Sequence, residues 1–170
     1  MPVREHLDGV LITVRVAVSG HRGLAGETAA LVDRAIREAL AEYLPGLSGL
    51  SCLADGADQI FARAVLDLGG ALEVVIPAER YRDGLPGECR AAYDELLGRA
   101  RRAHRLEFVE STAESHMAAS ERMLDDADVL VAVWDGQPAR GHGGTADVVA
   151  EARRRGMSVR VIWPEGARRG

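Results

Sequence analysis

Short runs of branched apolar residues alternate along this chain with longer stretches in which apolar positions recur every three or four residues. The first spacing is that of buried strands and the second that of amphipathic helices. The first strand is predicted over Val14 to Ser19. Gly20-His21-Arg22-Gly23 follows, then a helix from about Glu27 to Leu44 that Pro45 and Gly46 stop. A second strand, about Leu50 to Ala54, runs through Asp55-Gly56-Ala57-Asp58 into a helix closing at Gly69-Gly70. A third, about Leu72 to Ile76, stops at Pro77 and opens a polar loop. A helix from about Gly87 to Ala103 and a short fourth strand near Leu106 to Val109 come next. The rest predicts a helix from about Ala113 to Asp126, a very apolar strand from Val129 to Trp134 and a turn at Asp135-Gly136. Gly143-Gly144-Thr145 then opens a helix to Arg155, and Val159 to Trp163 forms the last strand. Residues 1 to about 12 and 164 to 170 read as frayed ends.

Strands alternating with helices place the chain in the α/β class, with a mostly parallel sheet of about six strands and helices on both faces. The pattern contains no repeat or linker, so residues 1–170 are expected to form one domain with its core at about 14–163. In such sheets a ligand sits beyond the carboxyl ends of the strands, where the strand order reverses. The order 4-3-2-1-5-6 is preferred, because it brings two glycine-rich loops into one crevice; 3-2-1-4-5-6 is also compatible with the pattern.

Three post-strand loops carry the candidate chemistry. In the first, Gly20, His21, Arg22 and Gly23 combine permissive backbone with a helix start that offers unpaired N–H groups. The spacing of Gly20, Gly23 and Gly26 is not that of a dinucleotide fingerprint. In the second, Asp55, Gly56 and Asp58 follow the strand expected beside the first. A carboxylate there is placed to accept from ribose hydroxyls, although Asp58 equally suits a helix start. In the third, Asp135 and Gly136 lead through Arg140 and Gly141 to Gly143, Gly144 and Thr145. These form a nest of donors suited to phosphate, with Thr145 also a good N-cap. His21 and His142 flank this crevice, while His6, His104 and His116 read as surface residues.

Composition narrows the chemistry. All 21 residues counted as Lys+Arg are arginine, so a Walker lysine, a Schiff base and a lysine general base are excluded. Phosphate must then be held by backbone N–H groups, hydroxyls and arginine forks, with Arg22, Arg122 and Arg140 as the candidate cations. A net charge of −5 argues against sequence-independent nucleic-acid binding, which depends on neutralising phosphates. Arg99, Arg101, Arg102 and Arg105, and the run Arg153-Arg154-Arg155, are expected at helix C-termini, where cations complement the dipole. Cys52 and Cys89 lie far apart and read as reduced thiols. No spacing marks a metal site or a resident cofactor. The N-terminal residues lack a signal-peptide core and no apolar run approaches a membrane span, so a cytoplasmic location without membrane association is expected.

Gly20-His21-Arg22, Ala54-Asp55-Gly56-Ala57-Asp58, Ala127-Asp128, Trp134-Asp135-Gly136 and Gly143-Gly144-Thr145, in this order, resemble the SLOG superfamily. That group includes LOG-like cytokinin-activating phosphoribohydrolases, SMF/DprA DNA-processing proteins and YpsA-like proteins. The similarity spans about residues 14–163. It implies a three-layer, Rossmann-like nucleotide-binding fold with phosphate on the Gly143-Gly144-Thr145 helix start and Gly20 to Arg22 facing it. The LOG-type motif has a glutamate three positions after its threonine, where this chain has Val148, with Asp147 one position earlier. LOG enzymes also use an arginine on the helix before the penultimate strand; Arg122 lies on that helix in a different register. With Glu121-Arg122 and Trp134-Asp135-Gly136 the chain is more similar to YpsA-like and sensor-type members.

The function expected is therefore binding of a nucleotide or nucleotide-derived small molecule. The alternative is an enzyme cleaving or transferring at an N-glycosidic bond of a nucleoside monophosphate, with Asp147 or Asp55 stabilising the oxocarbenium-like centre. DNA handling of the SMF/DprA kind ranks below both, and a homo-oligomer is expected from the resemblance.

Overall fold

The structure, a computed structural model, describes residues 12–138 and 144–169. Its first half comprises β1 (Val14–Gly20), α1 (Gly26–Ala41), β2 (Leu47–Ser51), α2 (Ala57–Asp67) and β3 (Ala71–Ala78). Two short 3₁₀ turns lead into α3 (Arg90–Gly98), and β4 (Arg102–Phe108), α4 (Ala113–Asp126), β5 (Val129–Val133), α5 (Thr145–Arg154) and β6 (Ser158–Ile162) complete it. The six strands form one sheet in the order β4-β3-β2-β1-β5-β6, and every neighbouring pair is parallel. This is the preferred of the two expected orders. The order reverses at β1, which has β2 on one side and β5 on the other.

Alternation along the central strands builds a core on each face of the sheet. Val16 and Val18 of β1 and Val131 and Val133 of β5 point toward α1 and α2, against Val32, Ile36, Leu40, Phe61 and Val65. Ala17, Leu130 and Ala132 point the other way, against Met123, Leu124, Val148 and Ala152 of α4 and α5. On α1 the buried residues Thr28, Val32, Ile36, Ala39 and Leu40 share one face. Removing a side chain of the size of Val, Ile or Leu from water contributes roughly 1.5–3 kcal/mol, so packing rather than intrinsic propensity holds this helix.

Several boundaries differ from the sequence reading. Helix α1 ends at Ala41 instead of Leu44, because the residue before a proline is disfavoured in helical conformation. Strand β2 is Leu47–Ser51 rather than Leu50 to Ala54: Leu53 takes a φ of 59° and turns the chain out of the sheet. Strand β3 continues through Pro77, where the β3–β4 register shifts between Ile76 and Ala78 and the missing N–H costs no ladder bond. The largest correction concerns the helix expected to reach Ala103. Helix α3 stops at Gly98, and Arg102 and Arg105 stand on β4, an edge strand with alternating exposed positions. Charged side chains on an edge strand deter pairing with other chains. Arg153 and Arg154 do lie in the last turn of α5. The segment after β6 is not frayed through residue 169: the Arg168 N–H donates to Thr28 Oγ1 at 2.9 Å.

Two glycines set the geometry at the carboxyl ends of β1 and β2. A Cβ at Gly20 would lie 2.4 Å from Ala57 Cβ and 2.8 Å from Val133 Cβ. One at Gly56 would lie 2.6 Å from the His21 carbonyl oxygen, and Gly56 also has a φ of 87°. The β1–α1 and β2–α2 loops therefore touch backbone to backbone, and the Ala57 N–H donates to the His21 carbonyl at 3.1 Å.

Gly56→Ala combines left-handed strain with a backbone clash, and is expected to cost about 2–5 kcal/mol in urea unfolding. Gly69→Ala also meets a positive φ, 83°, but open space, and is expected to cost about 1 kcal/mol. Equal losses would contradict the loop interlock.

Candidate functional site

A cavity of about 280 Å³ opens over the carboxyl ends of β1, β2 and β3, and the start of α5 and Arg169 also line it. It lies where the strand order reverses, the expected place for a ligand in an open parallel sheet. Its size lies just below the usual range of ligand pockets, roughly 300–1,000 Å³, which suits a compact molecule.

One wall is the interlocked pair of loops. Arg22 donates from Nε to Asp55 Oδ1 at 2.8 Å, and its Nη2 lies 2.7 Å from the same oxygen. Asp55 Oδ2 accepts the Gly23 N–H at 3.0 Å. Asp55 is buried whereas the Arg22 side chain is 46% exposed, so the carboxylate acts as the fixed anchor and the guanidinium reaches outward. His21 is buried, its ring edge-on to Trp163 at 5.4 Å. Its Nε2 accepts the Asp135 backbone N–H at 3.0 Å and lies 3.2 Å from Asp135 Oδ1. Burial works against ionisation of Asp135. The Gln137 N–H and the nearby His21 and Arg169 outweigh it and hold the carboxyl below its ordinary value.

The start of α5 faces this wall. Gly144, not Thr145, is the N-cap: its backbone is extended and Thr145 begins the helix. Thr145 is more than nine-tenths buried, and no described residue is hydrogen-bonded to its hydroxyl. The first-turn N–H groups of a helix have no partner within it and carry the positive end of its dipole. Gly144 and Thr145 thus present donors to the cavity.

The remaining wall is less polar and holds Asp58, Cys52, Tyr81, His116 and Met123. Asp58 is buried and accepts the Ala54 N–H at 3.3 Å. Burial pushes its carboxyl up to about 7, against the pull of the Ala54 hydrogen bond and the Arg22 charge. Burial likewise raises the Cys52 thiol and Tyr81 hydroxyl and, with Arg22 nearby, lowers His116. His116 is not a plain surface residue: Nε2 lies 2.7 Å from Ser111 Oγ and its ring meets Tyr81 at 5.6 Å. Leu53, between two lining residues, holds its positive φ with help from Ser51 Oγ, which accepts the Leu53 N–H at 3.0 Å.

Of the residues singled out in the sequence, Gly20, His21, Arg22, Asp58, Gly144 and Thr145 line the cavity. Asp55, Gly56 and Asp135 stand directly behind these, and Gly136, at φ 82°, makes the turn after Asp135. Arg122 pairs with Asp126 at 3.2 Å on α4 and does not line it. Asp147 lies in the first turn of α5, outside the lining. Arg140, His142 and Gly143 are outside the described residues. Arg169 and Tyr81 were not expected at the site, and Cys52 and His116 were read only as a reduced thiol and a surface residue, since nothing local to any of them shows that they meet over the strand ends.

No family model matches the sequence, and no curated protein does. Solved structures do share its fold. DNA processing protein A from Streptococcus pneumoniae matches with a TM-score of 0.65 at 19% identity, over 91% of this chain and 52% of that one. The same-named protein from Helicobacter pylori, solved for its single-stranded DNA binding mode, gives 0.65 at 18% identity, over 92% and 68%. The molybdenum cofactor binding protein from the phototrophic bacterium Rippkaea orientalis gives 0.59 at 14%, over 89% and 77%. This chain spans about half the length of the pneumococcal protein. At these identities the likeness is one of fold, and the Rossmann-like fold implied by the motifs is the one found. Among the described residues no helix is long and apolar enough to cross a membrane.

Asp58 supplies a test of the site's electrostatics. Its folded value, about 7, exceeds the ordinary carboxylate value near 4. Between those pH values the folded chain holds a proton that the unfolded chain has released, so this group's contribution to stability falls as pH rises toward 7. The stability of the wild type relative to Asp58→Asn is expected to drop by about 3 kcal/mol between about pH 5 and pH 8, measured by urea unfolding. A difference independent of pH would show that Asp58 is already ionised.

Proposed function

We propose that this protein is a binding module for a small phosphate-bearing ligand, a nucleotide or nucleotide-derived molecule, held in the cavity over β1. The observation that carries this reading is the α5 N-terminus, with the buried Thr145 hydroxyl, facing the same cavity as the anchored guanidinium of Arg22. Helix N–H donors, a hydroxyl and an arginine fork are lysine-free means of holding phosphate. In this reading Gly144 and Thr145 hold the phosphate, Arg22 adds charge, and Asp55 positions Arg22. Asp55 was expected on ribose hydroxyls; its bonds to Arg22 and Gly23 favour the positioning role.

The enzyme reading has less support. Neither Asp55, which Arg22 and Gly23 occupy, nor Asp147 lines the cavity, and an oxocarbenium-stabilising carboxylate must face the sugar. Release of free base from nucleoside monophosphates, followed by chromatography, would revive it. Exclusion of nucleic acid also loses ground, because the Helicobacter pylori neighbour was solved for single-stranded DNA binding. Salt-dependent binding of a single-stranded oligonucleotide separates that reading from a small-molecule one.

A thermal-shift panel of nucleoside mono- and diphosphates, cyclic nucleotides and ADP-ribose tests the main reading. A ligand at a hundred times its Kd contributes about 2.7 kcal/mol, or a rise of about 5–10 °C for a domain of this size. Gly144→Asp is expected to abolish the rise while leaving the free protein as stable or more so. Aspartate is a better N-cap than glycine, yet it puts a negative charge where the anion would sit. A shift unchanged in Gly144→Asp would refute the assignment.

A further inference from the structure

The segment after β6 folds back over α1. The Ala167 N–H donates to the Pro164 carbonyl at 3.0 Å and the Arg168 N–H to Thr28 Oγ1 at 2.9 Å. Gly166 packs beside Leu31 of α1, where a Cβ would be in ordinary contact with the Leu31 side chain at 3.5 Å. These contacts carry Arg169 into the lining of the cavity that also holds Gly144 and Thr145.

The two lining arginines differ. Arg22 is spent on Asp55 through two nitrogens within 2.8 Å. The Arg169 side chain is only 22% exposed, and its contact with a carboxylate is a long one, Nη1 to Asp135 Oδ2 at 3.9 Å. Asp135 meanwhile accepts the Gln137 N–H on Oδ1 at 2.9 Å, and His21 Nε2 lies 3.2 Å from the same oxygen. A guanidinium offers five N–H donors in a planar fork, and none of those of Arg169 is hydrogen-bonded to a described residue. Across the same cavity the Thr145 hydroxyl, more than nine-tenths buried, is also without a partner among the described residues.

We propose that Arg169 is a ligand-binding residue of the cavity, gripping the same anionic group as the α5 N-terminus, with Asp135 holding its guanidinium in place until the anion arrives. The inference rests on the reading above that the cavity takes a phosphate-bearing ligand. It adds a second cation to the site, from a segment that no motif marks, and makes the fold-back onto α1 part of the binding apparatus. An arginine fork contacts two phosphate oxygens at once, which an ammonium cannot match.

Calorimetric titration of the full chain with AMP, inorganic pyrophosphate and adenosine tests it. Arg169→Ala is expected to weaken AMP and pyrophosphate at least tenfold and leave any adenosine binding unchanged, with Arg169→Lys in between and melting temperatures close to wild type. Wild-type affinity for AMP and pyrophosphate in Arg169→Ala overturns the inference while the functional reading stands. Loss of adenosine together with AMP, or a variant that no longer folds while Arg169→Lys binds as wild type, overturns it in favour of a packing role. Failure of both phosphate compounds to bind the wild-type protein overturns the functional reading and the inference with it.

Discussion

The closeness of the β1–α1 and β2–α2 loops is the constraint on which the rest of the site depends. With no Cβ at Gly20 or Gly56, backbone meets backbone, and the Ala57 N–H reaches the His21 carbonyl. That contact brings Asp55 under the first loop, where it holds Arg22 and the Gly23 N–H. It also turns the His21 ring inward, toward Asp135 at the end of β5. Three consecutive sheet strands are thereby tied at their carboxyl ends, beyond the reach of their own ladder bonds.

Charge in this region is arranged in graded depth. Asp55 is buried but doubly bonded to cationic and N–H donors, which offsets the cost of removing a carboxylate from water. Asp58, a few residues on, has the neutral donor Ala54 as its nearest compensation and Arg22 only as a neighbouring charge, so burial dominates and its carboxyl rises to about 7. The difference lies in the partners: Asp55 has a guanidinium in contact, and Asp58, in the first turn of α2, does not. A similar contrast separates Arg22 from Arg169, and in a chain whose cations are all arginine it is partner geometry, not residue type, that distinguishes their roles.

Much of this was legible in the chain. Apolar periodicity placed α4 at Ala113–Asp126 as found, and the alternation of strand and helix left two strand orders open, of which the glycine-rich loops favoured the one observed. It failed where two signals overlap. The stretch from Gly87 to Ala103 has helical spacing and many arginines, yet Arg102 and Arg105 belong to β4, because pairing with Glu73 and Ile76 on β3 outweighs local propensity. His116 looked like a surface position since its own helix gives no sign of Tyr81, which approaches from the β3 loop.

By itself, then, the sequence determined the class of fold, the loops that meet at the crevice and the lysine-free chemistry available there, because period, turn residues and composition are local properties. Only the tertiary structure decided which groups are already satisfied. Asp55 is committed to Arg22, Asp58 is buried beside a neutral donor, Thr145 faces the cavity as the first residue of its helix, and Arg169 arrives from the segment past β6. Hydrogen-bond partners and desolvation depend on chain segments brought together from far apart in sequence, and no local pattern encodes them.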